Sequence, residues 1–192
     1  MTKPLLIVFL GFPGSGKTYF SKRLAEKLHA ITLNTDALRV AMFGSLERID
    51  EIRHSDNERL YEDVFGAMDY ATKQALLASH SVVYDAQQTK RENRRNIEKI
   101  AEESGALPIL VWMRTSRDTA MKRGQEREAR DDSHQYDADK MAYLIDRFDS
   151  VTDLPQPDEN VIEISGEISF EEQYATFTEA VKGSQSEASP AR

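Results

Sequence analysis

The chain has 192 residues, of which 40% are hydrophobic and 30% charged, with a net charge of −8 and no cysteine. The missing cysteines exclude disulfides, thiolate metal sites and thiol catalysis, and the acidic balance disfavours bulk binding to long nucleic acid. No run approaches the roughly 18 apolar residues of a membrane span, and the N-terminus has no signal-peptide pattern, so one cytoplasmic domain is expected.

Apolar runs bounded by turn signals alternate along the chain with longer amphipathic stretches, an order typical of α/β proteins. It predicts a five-stranded parallel sheet with helices on both faces. The predicted strands are residues 5–10, 30–33, 81–84, 108–113 and 160–164. The predicted helices are residues 16–28, 36–44, 56–79, 89–104, 116–128, 137–148 and 169–182.

Two further patterns predict where helices begin and where the folded domain ends. Capping boxes, in which an acidic side chain follows three residues after Ser or Thr, predict helix starts at Ser55, Thr89, Thr115 and Ser169. Residues 183–192 contain no large apolar side chain and are predicted to form a disordered tail. We therefore expect a single folded domain over residues 1–182.

A glycine-rich loop directly follows the first predicted strand. Residues 11–18 fit the P-loop pattern G-x-x-x-x-G-K-[ST] at every fixed position. Glycines let the backbone N–H groups of such a loop face phosphate oxygens, and the following helix adds the positive end of its dipole. The pattern predicts a P-loop NTPase fold that binds ATP or GTP, with Lys17 directed at the β- and γ-phosphates and Thr18 at Mg²⁺. The predicted nucleotide-binding residues are Gly11, Pro13, Gly14, Ser15, Gly16, Lys17 and Thr18.

Asp36 lies just past the second predicted strand, at the start of a helix. Ligands of open α/β sheets bind at this edge, so the carboxylate could accept the proton of an attacking hydroxyl, while Arg39 holds an anion on the acceptor. Aspartate is also a favoured helix N-cap, and an Asp/Arg pair three residues apart is ordinary on helix surfaces. The spacing leaves both interpretations open.

Asp85 is predicted to end the third strand, beside the strand that leads into the P-loop. Phosphotransfer enzymes place there a carboxylate that holds Mg²⁺ through water or orients the acceptor. The alternative is a simple strand-ending aspartate before a turn. Residues 87–89 follow as a candidate polar lining of the site, and a solvated loop is the favoured interpretation for each of them.

Six Lys or Arg against three acids occupy residues 114–130. Arg123 and Arg127 lie one helical turn apart, and Arg130 and His134 follow them. A segment of this kind, over about residues 114–137, is predicted to form an arginine-bearing lid that closes over the phosphates and neutralises transition-state charge. A merely solvated helix face is the alternative, and it is favoured for Arg130 and His134.

These motifs together resemble a known group of enzymes. The order G-x-P-G-S-G-K-[ST], N-x-D-x-x-R, V-V-x-D and R-x-x-R-R resembles the 5′-kinase domain of phage polynucleotide kinase and the single-domain P-loop kinases of the zeta-toxin and AAA_33-like group. The resemblance implies a kinase domain with Lys17 and Thr18 on ATP and Mg²⁺, Asp36 as general base, Arg39 on the acceptor, and Arg123 or Arg127 in the lid. One departure is Thr35, where polynucleotide kinases usually have arginine.

The sequence therefore predicts an ATP-dependent phosphotransferase that moves the γ-phosphate to a hydroxyl acceptor, more readily a small molecule or nucleoside than a long polymer. A GTPase is disfavoured because the N-K-x-D pattern is missing, and an AAA+ motor because Asp85 has no second acid after it. A polynucleotide 5′-hydroxyl kinase and a non-catalytic ATP-binding module stay open. Arg39 and the basic cluster at residues 90–95 are together expected to contact at most about two or three phosphates of an acceptor strand.

Overall fold

The structure is a computed structural model and describes residues 3–126 and 136–187. Arg127, Arg130 and His134, from the predicted lid, lie outside these described residues. No helix in the described ranges is long and apolar enough to cross a membrane. In chain order the elements are β1 (Leu5–Leu10), α1 (Lys17–Leu28), β2 (Ile31–Asn34), α2 (Thr35–Phe43), α3 (Leu46–Leu77), β3 (Val82–Gln87), α4 (Arg91–Glu103), β4 (Leu107–Arg114), α5 (Arg117–Glu126), α6 (Ala138–Val151), β5 (Val161–Ser165) and α7 (Phe170–Glu187).

The strands form one parallel sheet in the order β2-β3-β1-β4-β5, with the buried strand β1 at its centre. Successive side chains of β1 point to opposite faces. Ile7 packs in a core with residues of α1 and α7, whereas Val8 packs in a second core with residues of α3 and α4. The predicted α/β fold is confirmed, and the parallel strands bring the P-loop and the loops after β2 and β3 to one edge of the sheet.

Helix α3 differs from the prediction, which placed its start at residue 56. The helix begins at Leu46, and Ser45 is its N-cap. At Asp56 the backbone leaves helical geometry (φ −155°, ψ 77°), and the Asp56 carboxylate accepts a hydrogen bond from the Arg59 N–H. The hydroxyl of Ser55, predicted to cap, instead donates to a carbonyl of the preceding turn. The predicted start therefore marks a kink with its own cap.

Of the other three predicted capping boxes, one is confirmed and two differ from the prediction. The box before α7 is confirmed, because Ser169 Oγ accepts from the Glu172 N–H and the Glu172 carboxylate accepts from the Ser169 N–H. Ser116 caps α5 in place of Thr115, and Lys90 precedes α4 without a side-chain cap. These shifts move helix boundaries by a residue or two and leave the order of elements intact.

Helix α7 extends past its predicted end at residue 182 and runs to Glu187. Ser184 Oγ lies 3.2 Å from the Ala180 carbonyl oxygen and 3.2 Å from Asn160 Oδ1, which ties this part of the helix to the start of β5. Residues 183–187 are thus helical where a tail was expected, since extending an existing helix is easier than starting one. Residues 188–192 lie outside the described residues.

Three members of the basic cluster at residues 90–95 are paired with carboxylates between α6 and β5: Lys90, Arg91 and Arg94. Arg94 and Glu159 are each 2% exposed and form a two-pronged ion pair, with Nε–Oε1 at 2.5 Å and Nη2–Oε2 at 3.1 Å. Arg91 also contacts Glu159, at 2.5 Å. The expectation that this cluster contacts an acceptor strand is therefore wrong for the buried Arg94 and stays a prediction for the others, while Arg91 and Arg94 fix the start of α4 to the segment before β5.

Replacing Glu159 by glutamine is expected to lower the free energy of unfolding by about 3–5 kcal/mol, because the buried Arg94 guanidinium loses its counter-charge. Burial opposes ionisation of Glu159, but hydrogen bonds from Arg94 and the Gln156 N–H hold its pKa below the ordinary value. The stabilisation is therefore present above the pKa of an unfolded glutamate and is lost as pH falls through the lower pKa of the folded state. Thermal unfolding of wild type and variant at neutral pH measures the difference.

Glu103→Gln is the matched control, because Glu103 forms a 2.8 Å pair with Lys73 in which both side chains are exposed. Its unfolding midpoint is expected to stay close to that of wild type, since exposed pairs contribute little. Equal midpoint shifts in the two variants would show that the Arg94 pair has no special role in stability.

Candidate active site

Two glycines of the P-loop have backbone conformations that other residues rarely adopt. Gly14 and Gly16 have positive φ angles of 81° and 97°, which glycine adopts without strain. Gly16 is the N-cap of α1, and its helix start has no side-chain cap. The first N–H groups of α1 and the helix dipole therefore point at the concave side of the loop, where an anion binds favourably. The residues present fit a nucleotide phosphate.

Lys17 folds back over this loop. Its Nζ donates to the carbonyl oxygens of Gly11 and Phe12 at 2.8 and 2.7 Å. A phosphate oxygen would offer the ammonium a charged acceptor, and charge-assisted hydrogen bonds are stronger than bonds to neutral carbonyls. The phosphate-binding role of Lys17 stays a prediction, and Thr18 follows it in the first turn of α1.

Close packing holds the P-loop against β4 and α5. A Cβ atom on Gly14 would lie 2.2 Å from the Ala120 carbonyl oxygen, and one on Gly11 would lie 2.8 Å from the backbone of β4. Thr115 Oγ1 donates to the Ser15 carbonyl oxygen at 2.9 Å. A larger side chain at either glycine would therefore displace the loop from its neighbours.

Arg123, on α5, lies beside the start of α1. Its Nη1 donates to the Gly166 carbonyl oxygen at 2.7 Å and lies 3.8 Å from the point where a Gly16 Cβ would stand. The guanidinium is thus next to the N–H groups that face the phosphates, which is where an arginine can stabilise phosphotransfer charge. The other predicted lid arginine, Arg127, lies outside the described residues.

Helix α2 begins directly after β2 and carries Asp36 in its first turn. The N-cap is Asn34, whose Oδ1 accepts from the N–H groups of Asp36 and Ala37 at 3.0 and 2.9 Å. The alternative that Asp36 is a helix cap is therefore wrong. The Asp36 side chain is 47% exposed and lies 2.8 Å from Arg39 Nη1. The two predicted acceptor residues thus form an ion pair that an acceptor can reach.

Asp85 lies inside β3, which continues to Gln87, so the expectation that it ends the strand is wrong. The register of β3 on β1 passes from Tyr84 to Gln87 and skips Asp85 and Ala86, which form a bulge. The extra residues lengthen the strand beyond its apolar run. Bulges redirect side chains, and this one lies next to the strand that leads into the P-loop.

Few protein side chains are available to bind Mg²⁺ at this site. In residues 3–126 and 136–187 there is no group of three or more His, Asp or Glu that could hold a metal ion. Mg²⁺ at a nucleotide usually takes one or two protein ligands and completes its octahedron with phosphates and water. The Thr18 hydroxyl and the Asp85 carboxylate are the residue types that such a site needs.

The connection after β3 is anchored, so the predicted solvated loop at residues 87–89 is wrong. Gln88 is buried, and its Oε1 has no hydrogen-bond partner among the described residues. The Thr89 carbonyl oxygen accepts from Arg94 Nη1 at 3.2 Å and from the Asp153 N–H at 2.9 Å. The connection after β3 is therefore fixed in place by its hydrogen bonds to Arg94 and Asp153.

Tyr61 on α3, which was not predicted as a site residue, lies close enough to Arg39 to be affected by its charge. Asn93 Nδ2 donates to the Tyr61 hydroxyl at 3.2 Å, and Tyr61 stacks on Phe65 with ring centroids 4.2 Å apart. Burial raises the pKa of Tyr61, although the Asn93 hydrogen bond and the Arg39 charge act in the opposite direction. The hydroxyl therefore keeps its proton at neutral pH. The sequence signal that could have pointed to Tyr61 is its spacing of four residues from a second aromatic residue, Phe65.

Comparison with known proteins identifies the family. Residues 6–151 match AAA_33, a family described as an AAA domain. The chain belongs to this family. The match begins in β1 and ends with α6, so the AAA_33 region contains the P-loop, Asp36, Asp85 and Arg123.

Curated relatives of this AAA_33 chain include two kinases. It is 30% identical over 129 residues to L-seryl-tRNA(Sec) kinase of Methanococcus maripaludis, an alignment that covers 64% of the chain and 46% of that protein. It is 32% identical over 121 residues to 6-phosphofructo-2-kinase/fructose-2,6-bisphosphatase of Aquarana catesbeiana, covering 56% and 25%. The chain thus spans less than half the length of either relative.

The fold is shared with solved structures. A gluconokinase from Sinorhizobium meliloti superposes with a TM-score of 0.66 over 97% of both chains, at 17% sequence identity. Similarity at this identity establishes the AAA_33 chain's fold alone. It confirms the predicted P-loop architecture of a parallel sheet covered by helices.

Proposed function

We propose that this chain transfers the γ-phosphate of ATP to a hydroxyl group of a small-molecule or nucleoside-like acceptor. One observation carries the proposal: α2 presents the half-exposed Asp36 carboxylate at the sheet edge that holds the P-loop, while Asn34 does the capping. A kinase needs a base for the attacking hydroxyl, whereas a passive ATP-binding module does not. The kinase names of both curated relatives support the same reaction class.

In this proposal the N–H groups of the P-loop and Lys17 bind the nucleotide phosphates. Thr18 and Asp85 are the residues that would hold Mg²⁺, which neutralises phosphate charge when bound. The close packing of the loop on β4 and α5 fixes these donors before the nucleotide arrives. Preorganised donors stabilise developing charge without rearranging during the reaction.

Asp36 accepts the proton of the acceptor hydroxyl as the hydroxyl oxygen attacks the γ-phosphorus. The bond between that phosphorus and the β,γ-bridging oxygen breaks, and ADP leaves. Arg39 orients the acceptor beside Asp36, and Arg123 stabilises the charge that spreads over the transferred group. Each of these side chains lies at the carboxyl edge of the sheet or against the start of α1.

The charge distribution favours a small acceptor. The net charge of −8 repels polyanions, and the two most buried arginines of the basic cluster are already paired with carboxylates. A polynucleotide 5′-hydroxyl kinase, the second candidate, would need a basic groove for its acceptor strand. Counterion release scales with the number of phosphates neutralised, so such an enzyme would bind longer strands more tightly and lose affinity with salt.

A transfer screen tests the proposal. γ-Labelled ATP is offered with a panel of hydroxyl compounds, including nucleosides, sugars, amino acids and 5′-hydroxyl oligonucleotides of increasing length, at two salt concentrations. We expect label on a small acceptor, with a KM that depends little on salt. Tight, length-dependent and salt-sensitive use of oligonucleotides would instead identify a polynucleotide kinase. Nucleotide binding without transfer to any acceptor would indicate a binding module.

Arg123→Ala is expected to lower kcat by about 10- to 10³-fold, because the guanidinium beside Gly16 stabilises transition-state charge. Its neighbour Lys122 is an exposed residue of the same helix, so Lys122→Ala is the matched control and should turn over like wild type. Steady-state kinetics at saturating ATP measure the effect. Arg127→Ala is assayed alongside, and the lid hypothesis fails if both arginine variants keep the wild-type kcat.

A further inference from the structure

The side chain of Asn34 connects the two carboxylates of the candidate site. Its Oδ1 accepts from the N–H groups of Asp36 and Ala37 at 3.0 and 2.9 Å, which fixes the first turn of α2. Its Nδ2 donates to Asp85 Oδ2 at 2.9 Å. One amide therefore holds the helix start that carries the proposed base and, on its other side, the carboxylate on β3.

We propose that Asn34 is a positioning residue for phosphotransfer, which sets Asp36 and Asp85 relative to each other. This inference rests on the proposed function and adds a residue to it. Asparagine suits both contacts, because a primary amide offers an acceptor and a donor on opposite sides of one rigid group. Serine or aspartate could cap the helix as well, but neither presents an amide N–H to Asp85.

The sheet explains why Asp85 needs this support. In the β2–β3 register Asn34 lies directly opposite Asp85, so the two side chains are neighbours on adjacent strands. On the other side, the bulge releases Asp85 from its pairing with β1. Asp85 is only 6% exposed, and a buried carboxylate without hydrogen-bond donors is costly. Among the described residues, Asn34 Nδ2 is the group that donates to this carboxylate.

The donor and the acceptor of the Asn34–Asp85 hydrogen bond can be exchanged by substitution. Asn34→Asp keeps the shape and the capping oxygen but places a second carboxylate against Asp85 Oδ2, where an N–H had been. Like charges at this distance repel strongly when they are buried. Adding Asp85→Asn restores one donor and one acceptor with the polarity exchanged. If the contact is what matters, the double variant is more stable than Asn34→Asp alone.

Thermal unfolding at neutral pH tests this contact without any turnover. We expect N34D to unfold at least about 4 °C below wild type and the N34D/D85N double variant to recover most of that loss, from the usual coupling between contacting residues in a domain of this size. N57D adds the same charge at an exposed position of α3 and should unfold close to wild type. An N34D variant as stable as N57D, or one that D85N does not rescue, overturns the contact.

Kinetics test the positioning role separately. N34S keeps a cap for α2 but is too short to hold Asp85, so we expect kcat to fall about tenfold or more while the KM for ATP changes less than about twofold. An unchanged kcat overturns the positioning role. If wild type phosphorylates no acceptor, the proposed function fails, and the unfolding measurements still decide whether Asn34 and Asp85 are coupled.

Discussion

Replacing Lys17 by methionine is expected to abolish phosphotransfer, with a loss of at least about 10³-fold in kcat/KM, which corresponds to about 4 kcal/mol of transition-state stabilisation. Methionine keeps the length of the side chain and removes the charge that the β- and γ-phosphates require. The ammonium donates to the carbonyl oxygens of Gly11 and Phe12 and lies 3.5 Å from Ser15 Oγ, and water or the loop can satisfy these neutral acceptors when methionine replaces it. The measurement is transfer of label from γ-labelled ATP at saturating acceptor.

Lys22→Met is the matched control, because Lys22 is an exposed residue of the same helix α1. It removes an equal charge and should leave kcat/KM near the wild-type value. Unfolding midpoints of both variants, measured in parallel, show whether the Lys17 variant still folds. Retention of more than about a tenth of the activity by a folded Lys17→Met protein would contradict the P-loop assignment.

The sheet could be predicted because its strands are short, mostly apolar segments bounded by turn signals. Strand β1 is buried along its whole length, as the central strand of a parallel sheet must be, and its continuous apolar sequence shows it. The first half of α3 was harder. Its buried face rests on Ile49, packed against Leu60 and Val64 beyond the kink, so the pattern of one regular helix is interrupted at Asp56.

The P-loop could be predicted in detail because its chemistry is local: eight consecutive residues carry the glycines, the lysine and the threonine. Asp36 could be placed at the right edge, but its capping alternative could not be removed from sequence, since Asn34 and Asp36 are both good N-caps. The structure decides between them through two hydrogen bonds to Asn34 Oδ1. The Asp36 carboxylate is instead paired with Arg39, and its role as a base stays a prediction.

Contacts between distant parts of the chain could not be predicted. Arg94 and Glu159 are 65 residues apart, and nothing in the local pattern of α4 distinguishes a buried arginine from a solvated one. Asn34 and Asp85 are 51 residues apart and meet only because β2 and β3 are neighbours in a particular register. A single sequence shows which residues can ionise or donate, whereas the topology determines which of them meet.

Asp36→Asn is expected to lower kcat by about 10²-fold or more while the affinity for ATP stays nearly unchanged. The amide cannot accept the proton of the attacking hydroxyl, but it keeps the size of the side chain and a hydrogen-bond acceptor for Arg39. The helix should not suffer, because the cap of α2 belongs to Asn34. The measurements are kcat under saturating conditions and the dissociation constant of a nonhydrolysable ATP analogue.

The chain offers a close control for this substitution. Asp50 and Arg53 form the same kind of three-residue ion pair on α3, at 2.5 Å, compared with 2.8 Å for Asp36 and Arg39. Asp50→Asn removes an equal charge from an equivalent helical pair and should leave kcat unchanged. If both variants lose activity alike, the effect is one of helix electrostatics and Asp36 is not the base. If Asp36→Asn instead weakens nucleotide binding as much as it slows turnover, the carboxylate acts on the bound metal, and the general base must be sought elsewhere at the same sheet edge.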